Sequence, residues 1–171
     1  HGELQRLRRE LEALASREER FRTLFHAASQ PIVLLPLPEE GEPARFGEVN
    51  DAALELLGYG REALLAMSPA EIDPGLDAAV MGDVIDELLA GRTVTLQRVL
   101  RGRDGRQIPA EISSRLVRLE DEAMVISAVR DLSDLAAAEA ARDRLADRLR
   151  RAERLQAVGT LAGSLAHDMN S

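Results

Sequence analysis

The sequence contains no cysteine, which removes a large part of the chemistry open to a small protein. Disulfides, thiolate nucleophiles, iron–sulfur clusters and cysteine-based zinc sites are excluded together. Aromatic residues make up only 2% of the 171 residues, and 22 Lys and Arg against 30 Asp and Glu leave a net charge of -8. An acidic chain without a long basic run repels nucleic acid and anionic membranes, so we expect neither as a partner.

Long apolar runs are also missing. The longest, Pro31–Pro38, is far shorter than the about 20 residues of a membrane helix. We therefore expect no membrane span, and together with the missing cysteines this predicts a cytoplasmic location. The chain begins with His1-Gly2 and ends at Ser171 inside a helical pattern, which indicates a piece of a longer protein.

Residues 1–28 have the apolar spacing of a coiled-coil helix. Such a helix either pairs with a second helix or folds back on its own domain. Pairing is favoured because the other faces are charged, so we expect a homodimer through this helix and a similar one at the other end of the chain. Intervals of three and four residues separate Leu4, Leu7, Leu11, Leu14, Glu18, Phe21 and Phe25.

Residues 29–132 are predicted to form an α+β domain, a five-stranded antiparallel sheet with helices on one face. Turn residues such as Gly41-Glu42-Pro43 separate its apolar segments, and Asn50 lies where it can cap a helix. The predicted elements of the first half are strands over Ile32–Leu37 and Arg45–Val49, then helices over Asp51–Leu57, Arg61–Met67, Pro69–Ile72 and Leu76–Ala90.

The second half of the domain has the period of two that is typical of strands. Asp104-Gly105 predicts a tight hairpin with positive φ at both residues. A second turn at Glu120-Asp121-Glu122 leads to the fifth strand, Ala123–Arg130. Asp131 is then expected to cap a long helix that runs from Leu132 to the end of the chain.

Four motifs in this order and spacing resemble a PAS sensor domain over roughly residues 19–133. They are Glu19–Phe25, Val49–Tyr59, Arg103–Arg106 and Arg130–Ser133. The last is similar to the Asp-Ile-Thr sequence that joins the final strand of that family to an outgoing signalling helix. The resemblance implies the PAS fold, flanked here by N- and C-terminal coiled-coil helices, and a role in sensing.

Residues 155–170 resemble the phosphoacceptor helix of sensor histidine kinases. The resemblance implies that residues 133–171 are a signalling helix running into a truncated dimerisation and phosphoacceptor helix. It assigns His167 as the phosphoacceptor and Asp168 as its base or orienting residue. This chain has Ser171 where that family usually has a second asparagine, so a phosphatase role is not carried over.

The heptad pattern independently places His167 on the solvent side of its helix. A neutral imidazole there keeps on one ring nitrogen the lone pair that an attack on phosphorus needs. An ordinary surface histidine is the alternative, and the PAS-like region upstream favours the phosphoacceptor. The apolar stripe on the opposite side consists of Leu155, Val158, Ala162, Leu165 and Met169.

The resemblance implies a relay with two partners. His167 receives the γ-phosphoryl group of ATP from a separate ATP-binding lobe of the parent kinase, and an aspartate on a response regulator receiver domain then takes it. ATP and Mg are expected only for that lobe, because this sequence has no phosphate-cradling glycine motif. The chain alone is therefore expected to be inactive, and the alternative function is a dimerisation scaffold whose PAS domain binds no ligand.

A set of apolar residues either lines a ligand pocket or fills a solid core, and the residues alone favour the core. Haem and flavin are not expected, because Asp77–Ala90 has no histidine and stacking aromatics are scarce. No metal site is expected either, since the three histidines are far apart. The pocket candidates are Val33, Leu35, Leu54, Leu57, Met81, Val84, Ile85, Leu88, Ile112, Leu116 and Ile126.

Two further positions bear on sensing and signal transfer. Arg98 has the strand phase of inward residues, so it either meets an anionic ligand or is turned outward by a bulge, and the bulge is favoured.

Between Leu145 and Ala162 the spacing of the apolar stripe departs from strict heptads. We expect this region, with Gly159 and Gly163, to be the element that reorients His167 when a signal passes from the junction at Asp131.

Overall fold

The computed structural model describes residues 2–38, 42–119 and 121–170. Contacts divide the chain into two units, His1–Leu132 and Ser133–Ser171. The predicted turns at Gly41-Glu42-Pro43 and Glu120-Asp121-Glu122 lie partly outside the described residues. Ser171 also lies outside them. In chain order the elements are α1 (Gly2–Ala27), β1 (Ile32–Pro36), β2 (Glu48–Val49), α2 (Asp51–Leu57), α3 (Arg61–Leu65), α4 (Pro69–Ile72), α5 (Ala78–Leu89), β3 (Val94–Arg101), β4 (Gln107–Leu119), β5 (Glu122–Asp131) and α6 (Ser133–Met169).

The strands form one antiparallel sheet in the order β2-β1-β5-β4-β3. The last strand, β5, lies in the centre and pairs on one side with β1 and on the other with β4. Helices α2 to α5 connect β2 to β3 and cover the inner face of the sheet, where the core includes Val33, Leu64 and Ile108. The predicted α+β fold with a five-stranded antiparallel sheet is confirmed.

Asn50 fixes the junction between the edge of the sheet and α2. Its side chain is 0% exposed. Its Oδ1 accepts hydrogen bonds from the backbone N–H of Ile32 at 2.9 Å and of Ala53 at 3.0 Å, and its Nδ2 donates to the carbonyl of Gln30 at 2.9 Å. The predicted cap is confirmed, and the same side chain also holds the start of β1.

The second strand is shorter than the predicted Arg45–Val49. The guanidinium of Arg45 donates to the carbonyl of Ala66 at 2.9 Å, and the backbone N–H of Phe46 donates to the carbonyl of Met67 at 3.5 Å. These bonds tie both residues to the end of α3, so only Glu48 and Val49 remain in the ladder with β1.

The hairpin between β3 and β4 has a different turn from the one expected. Gly105 has a φ of 80°, but Asp104 does not have a positive φ. The N–H of Gly105 donates to the carbonyl of Gly102 at 3.0 Å. The N–H of Gly102 donates to the carbonyl of Arg106 at 2.8 Å. The loop is therefore a three-residue type I turn with one left-handed residue, and the Asp104 carboxylate stabilises it by accepting from the N–H of Arg106 at 2.9 Å.

Helix α6 has 37 residues and is therefore about 55 Å long. It begins at Ser133 rather than at Leu132, because the N–H of Leu132 donates to the carbonyl of Pro109 at 2.8 Å and so continues the sheet ladder. Asp131 is the last residue of β5 and pairs with Ala110. Within the described residues, no helix has the length and apolar character needed to cross a membrane.

Candidate functional site

A cavity of about 130 Å³ lies between the inner face of the sheet and helices α2, α4 and α5. Strands β1, β3, β4 and β5 contribute alternate residues to its wall, as side chains on one face of a sheet must. The apolar face of α5 covers them, because its residues at intervals of three and four point the same way. Eight predicted pocket residues line this cavity: Val33, Leu35, Leu57, Met81, Val84, Ile85, Leu88 and Ile112.

Three predicted pocket residues do not line the cavity. Leu54, on α2, packs against the core cluster instead. Leu116 lies two residues beyond Ser114, the last residue of β4 that reaches the wall. Ile126 lies on the outer face of the sheet, because Val125 on its neighbouring position lines the cavity and successive strand residues face opposite ways.

Several wall residues, most of them on β3 and β5, are not among the residues predicted from the sequence. The period of two along β3 is enough to predict which of its residues face the cavity. Strand β5 carried no such signal, since both of its faces are largely apolar and only the pairing with β1 and β4 decides which one is inner. The strand residues of the wall that were not predicted are Pro36, Val94, Leu96, Leu100, Ser114, Val125, Ser127 and Val129.

A pair of serine hydroxyls provides the polar group on the sheet side of the wall. Ser114 on β4 and Ser127 on β5 are directly opposite each other in the ladder, and their Oγ atoms are 2.7 Å apart. Both residues are buried. The rest of the wall provided by these two strands is aliphatic.

Arg98 forms an ion pair with Asp73 at the C-terminal end of α4, which corrects the expectation of a bulge that turns it outward. Its Nε and Nη2 donate to the two carboxylate oxygens at 2.7 Å and 3.2 Å, and the pairing of β3 with β4 is continuous past this residue. The hydrogen bond to Asp73 raises the pKa of the guanidinium above its ordinary value. Gly75 allows this approach, because a Cβ there would lie 2.7 Å from Nη2.

A second charged cluster joins the end of α1 to the rest of the domain. Asp51 accepts a hydrogen bond from Arg61 at 2.6 Å, and its Oδ1 lies 3.2 Å from Nδ1 of His26. Arg61 also donates to the carbonyl of Val49. His26 therefore contacts side chains of its own chain, Asp51 and Arg61.

Helix α6 carries the residues predicted to act in the relay. His167 and Asp168 are exposed, and none of its residues is buried within the chain. An added Cβ at Gly159 or Gly163 would meet nothing within 4 Å, so packing in this chain does not require glycine at either position. Its apolar stripe is exposed as well, from Leu145 to Met169.

The fold is thus an α+β domain in which helices cover one face of an antiparallel sheet and a cavity lies between the two layers. The PAS domain family profile matches residues 30–134. This match extends over more than half of the chain, so the chain belongs to the PAS domain family, as the sequence motifs predicted.

A curated relative is the methyl sulfide methyltransferase-associated sensor of Methanosarcina acetivorans, which is 26% identical over 153 residues. The matched region is 90% of this chain and 15% of the relative, so the chain spans a small part of that protein's length.

Two solved structures share the fold. A PAS domain from a two-component sensor histidine kinase has a TM-score of 0.57 and 22% identity, over 68% of this chain and 98% of that one. The PAS domain of an HTR-like protein from Haloarcula marismortui has a TM-score of 0.63 and 22% identity, over 72% of this chain and 98% of that one. At this level of identity the likeness extends to the fold alone.

Proposed function

We propose that this chain is the sensor and relay module of a two-component histidine kinase. The observation that supports this best is the direct succession of its parts. Strand β5, which lines the cavity at Val125, Ser127 and Val129, ends at Asp131, and the long helix with His167 begins at Ser133. A change in the cavity wall therefore reaches the helix through a single residue of connection.

The proposed chemistry is phosphoryl transfer through His167. A ring nitrogen of His167 forms a bond to the γ-phosphorus of ATP while the bond from that phosphorus to the bridging oxygen of ADP breaks. Asp168 orients the imidazole or takes its second ring proton. An aspartate oxygen of a response regulator receiver domain then attacks the phosphorus and releases the imidazole. ATP and Mg are held by the ATP-binding lobe of the parent kinase, so this chain supplies the acceptor and its position.

The test is incubation with radiolabelled ATP of the parent protein that includes such a lobe. Label on α6 that is labile in acid and stable in base is the result expected of a phosphohistidine. A folded, ATP-binding parent protein that takes up no label would overturn the proposal. That outcome favours a dimerisation scaffold, the second candidate, which the exposed leucine stripes of α1 and α6 support.

We propose that the stripe on α1 pairs with α1 of a second copy of this chain. Leu7 and Leu11 are 52% and 65% exposed within the chain. Replacing both with glutamate is expected to halve the mass measured by analytical ultracentrifugation, because four charges would face one another across the helix pair. The matched control is Ala13→Glu on the charged side of α1, which should leave the dimer intact. Equal masses for the wild type and the double variant would contradict this pairing.

The irregular spacing in α6 predicts a sensitivity to helix phase. One residue inserted after Ala152 rotates everything downstream by about 100° relative to the upstream stripe. We expect the initial rate of label uptake by the parent kinase to change at least about fivefold, because His167 changes its orientation toward the ATP-binding lobe. Seven residues inserted at the same place restore the phase and serve as the control. Equal rates for the wild type and the one-residue insertion would refute the phase mechanism.

A further inference from the structure

We infer that the cavity binds a small uncharged molecule, apolar over most of its surface, that carries one hydrogen-bond acceptor recognised by Ser114 and Ser127. This inference rests on the proposed sensing function and names the chemical class of the signal.

The size of the cavity limits the ligand. Its volume is about 130 Å³. An apolar cavity of about 150 Å³ in a protein core holds one benzene molecule. A ligand with a six-membered ring or a short branched chain therefore fits this space.

The charges on the wall favour a neutral ligand. Among the described residues that line the cavity, Asp73 and Arg98 are the only charged ones. Their bidentate pair neutralises both charges and satisfies the carboxylate, which also accepts from the N–H of Gly75 at 3.1 Å. A charged ligand would lose its hydration without gaining a free counter-charge, so burying it would be costly.

The serine pair supplies the polar contact. A hydroxyl has one hydrogen to donate and two lone pairs to accept with. When one serine donates to the other across 2.7 Å, the second keeps a hydrogen that no other described residue accepts. A carbonyl, ether or hydroxyl oxygen on a ligand would take this hydrogen bond. Because the other wall residues of β4 and β5 are aliphatic and Asp73 and Arg98 are paired with each other, this hydrogen is the feature that distinguishes an oxygenated molecule from a hydrocarbon.

The experiment measures the binding of three probes built on one six-membered ring to this 171-residue chain by NMR titration. Cyclohexanone presents an acceptor, cyclohexane presents none, and cyclohexanecarboxylate presents a charge. We expect cyclohexanone to bind and the carboxylate to bind at least about tenfold more weakly, because the charged group would lose its hydration without gaining a counter-charge. The affinity for cyclohexane is compared between the wild type and the variants, because the ketone also gives up hydrogen bonds to water when it binds. A Leu96→Phe variant, which fills the cavity, should lose binding while its circular dichroism spectrum stays that of the folded chain.

A double variant tests the serine pair directly. Ser114→Ala with Ser127→Ala should weaken cyclohexanone binding about tenfold and leave cyclohexane binding unchanged. The chain offers a matched control on the outer face, where Oγ1 of Thr95 donates to Oγ of Ser113 at 3.3 Å between neighbouring strands. Thr95→Val with Ser113→Ala removes a hydroxyl pair of the same kind and should change neither affinity.

Three results would overturn the inference. They are unchanged cyclohexanone binding in the inner double variant, binding of the carboxylate that is as tight as that of cyclohexanone or tighter, and no binding of any probe to the folded wild-type chain. Because these titrations contain no ATP, their outcome is independent of phosphorylation at His167. The relay can therefore fail without affecting this inference, and the reverse also holds.

Discussion

His167→Gln is expected to reduce the label that the parent kinase takes up from ATP by about 1,000-fold or more. Glutamine is similar in length to histidine and is a good helix former, so α6 should keep its structure. Its amide nitrogen has no available lone pair, because that pair is delocalised into the carbonyl. The variant therefore removes the nucleophilic nitrogen and places a side chain of similar length at the same exposed position. The measurement is the initial rate of label uptake, with ATP binding recorded in parallel.

The matched control for this substitution is His26→Gln. His26 is the other histidine among the described residues, and it lies at the end of α1 beside Asp51. A kinase with this change should retain label that is labile in acid. If His167→Gln retained the wild-type rate, the phosphoryl group would reside elsewhere and α6 would have no role as its acceptor.

Asn50→Ala is expected to lower the free energy of unfolding of the PAS domain by about 3 kcal/mol, because it removes the hydrogen-bond partner of three backbone groups and empties a buried position. The side chain satisfies the N–H of Ile32, the N–H of Ala53 and the carbonyl of Gln30, all within 3.0 Å. Urea denaturation monitored by circular dichroism measures the change.

Asp77→Ala is the control for this second prediction. Asp77 caps α5 by accepting from the N–H of Val80 at 2.9 Å, but it is exposed and makes one such bond. Its loss should cost about 1 kcal/mol, the usual cost of removing a helix cap. Equal effects of the two substitutions would show that Asn50 acts only as a cap and that its bonds to the start of β1 contribute nothing.

Most of the fold was predictable because its signals are local. The cap at Asn50, the period of two before and after Asp104-Gly105, and the spacing of apolar residues in α1 each follow from a few neighbouring residues. The shortened second strand was not predictable, since Arg45 and Phe46 are drawn away by hydrogen bonds to the distant residues Ala66 and Met67.

The site was predictable in full only on helix α5, whereas from the strands only Val33, Leu35 and Ile112 were predicted. The residues of α5 were found because one helix face is apolar, and the period of that face is visible in the sequence. Ile126 was assigned to the wrong face because the inner side of β5 depends on its partners in the sheet. The role of Arg98 depended on Asp73, a residue 25 positions away in sequence, which no local pattern connects to it.

The central position of β5 also has a consequence for how this domain folds during synthesis. Before β5 leaves the ribosome, β1 with β2 and β3 with β4 are two separate hairpins that share no ladder. The strand that unites them is the last of the sheet to be made, and its pairing with β1 closes a loop of nearly the whole domain, which is slow. The nascent domain therefore stays open until its last strand has emerged, and a chaperone that shields apolar strands would act in that interval.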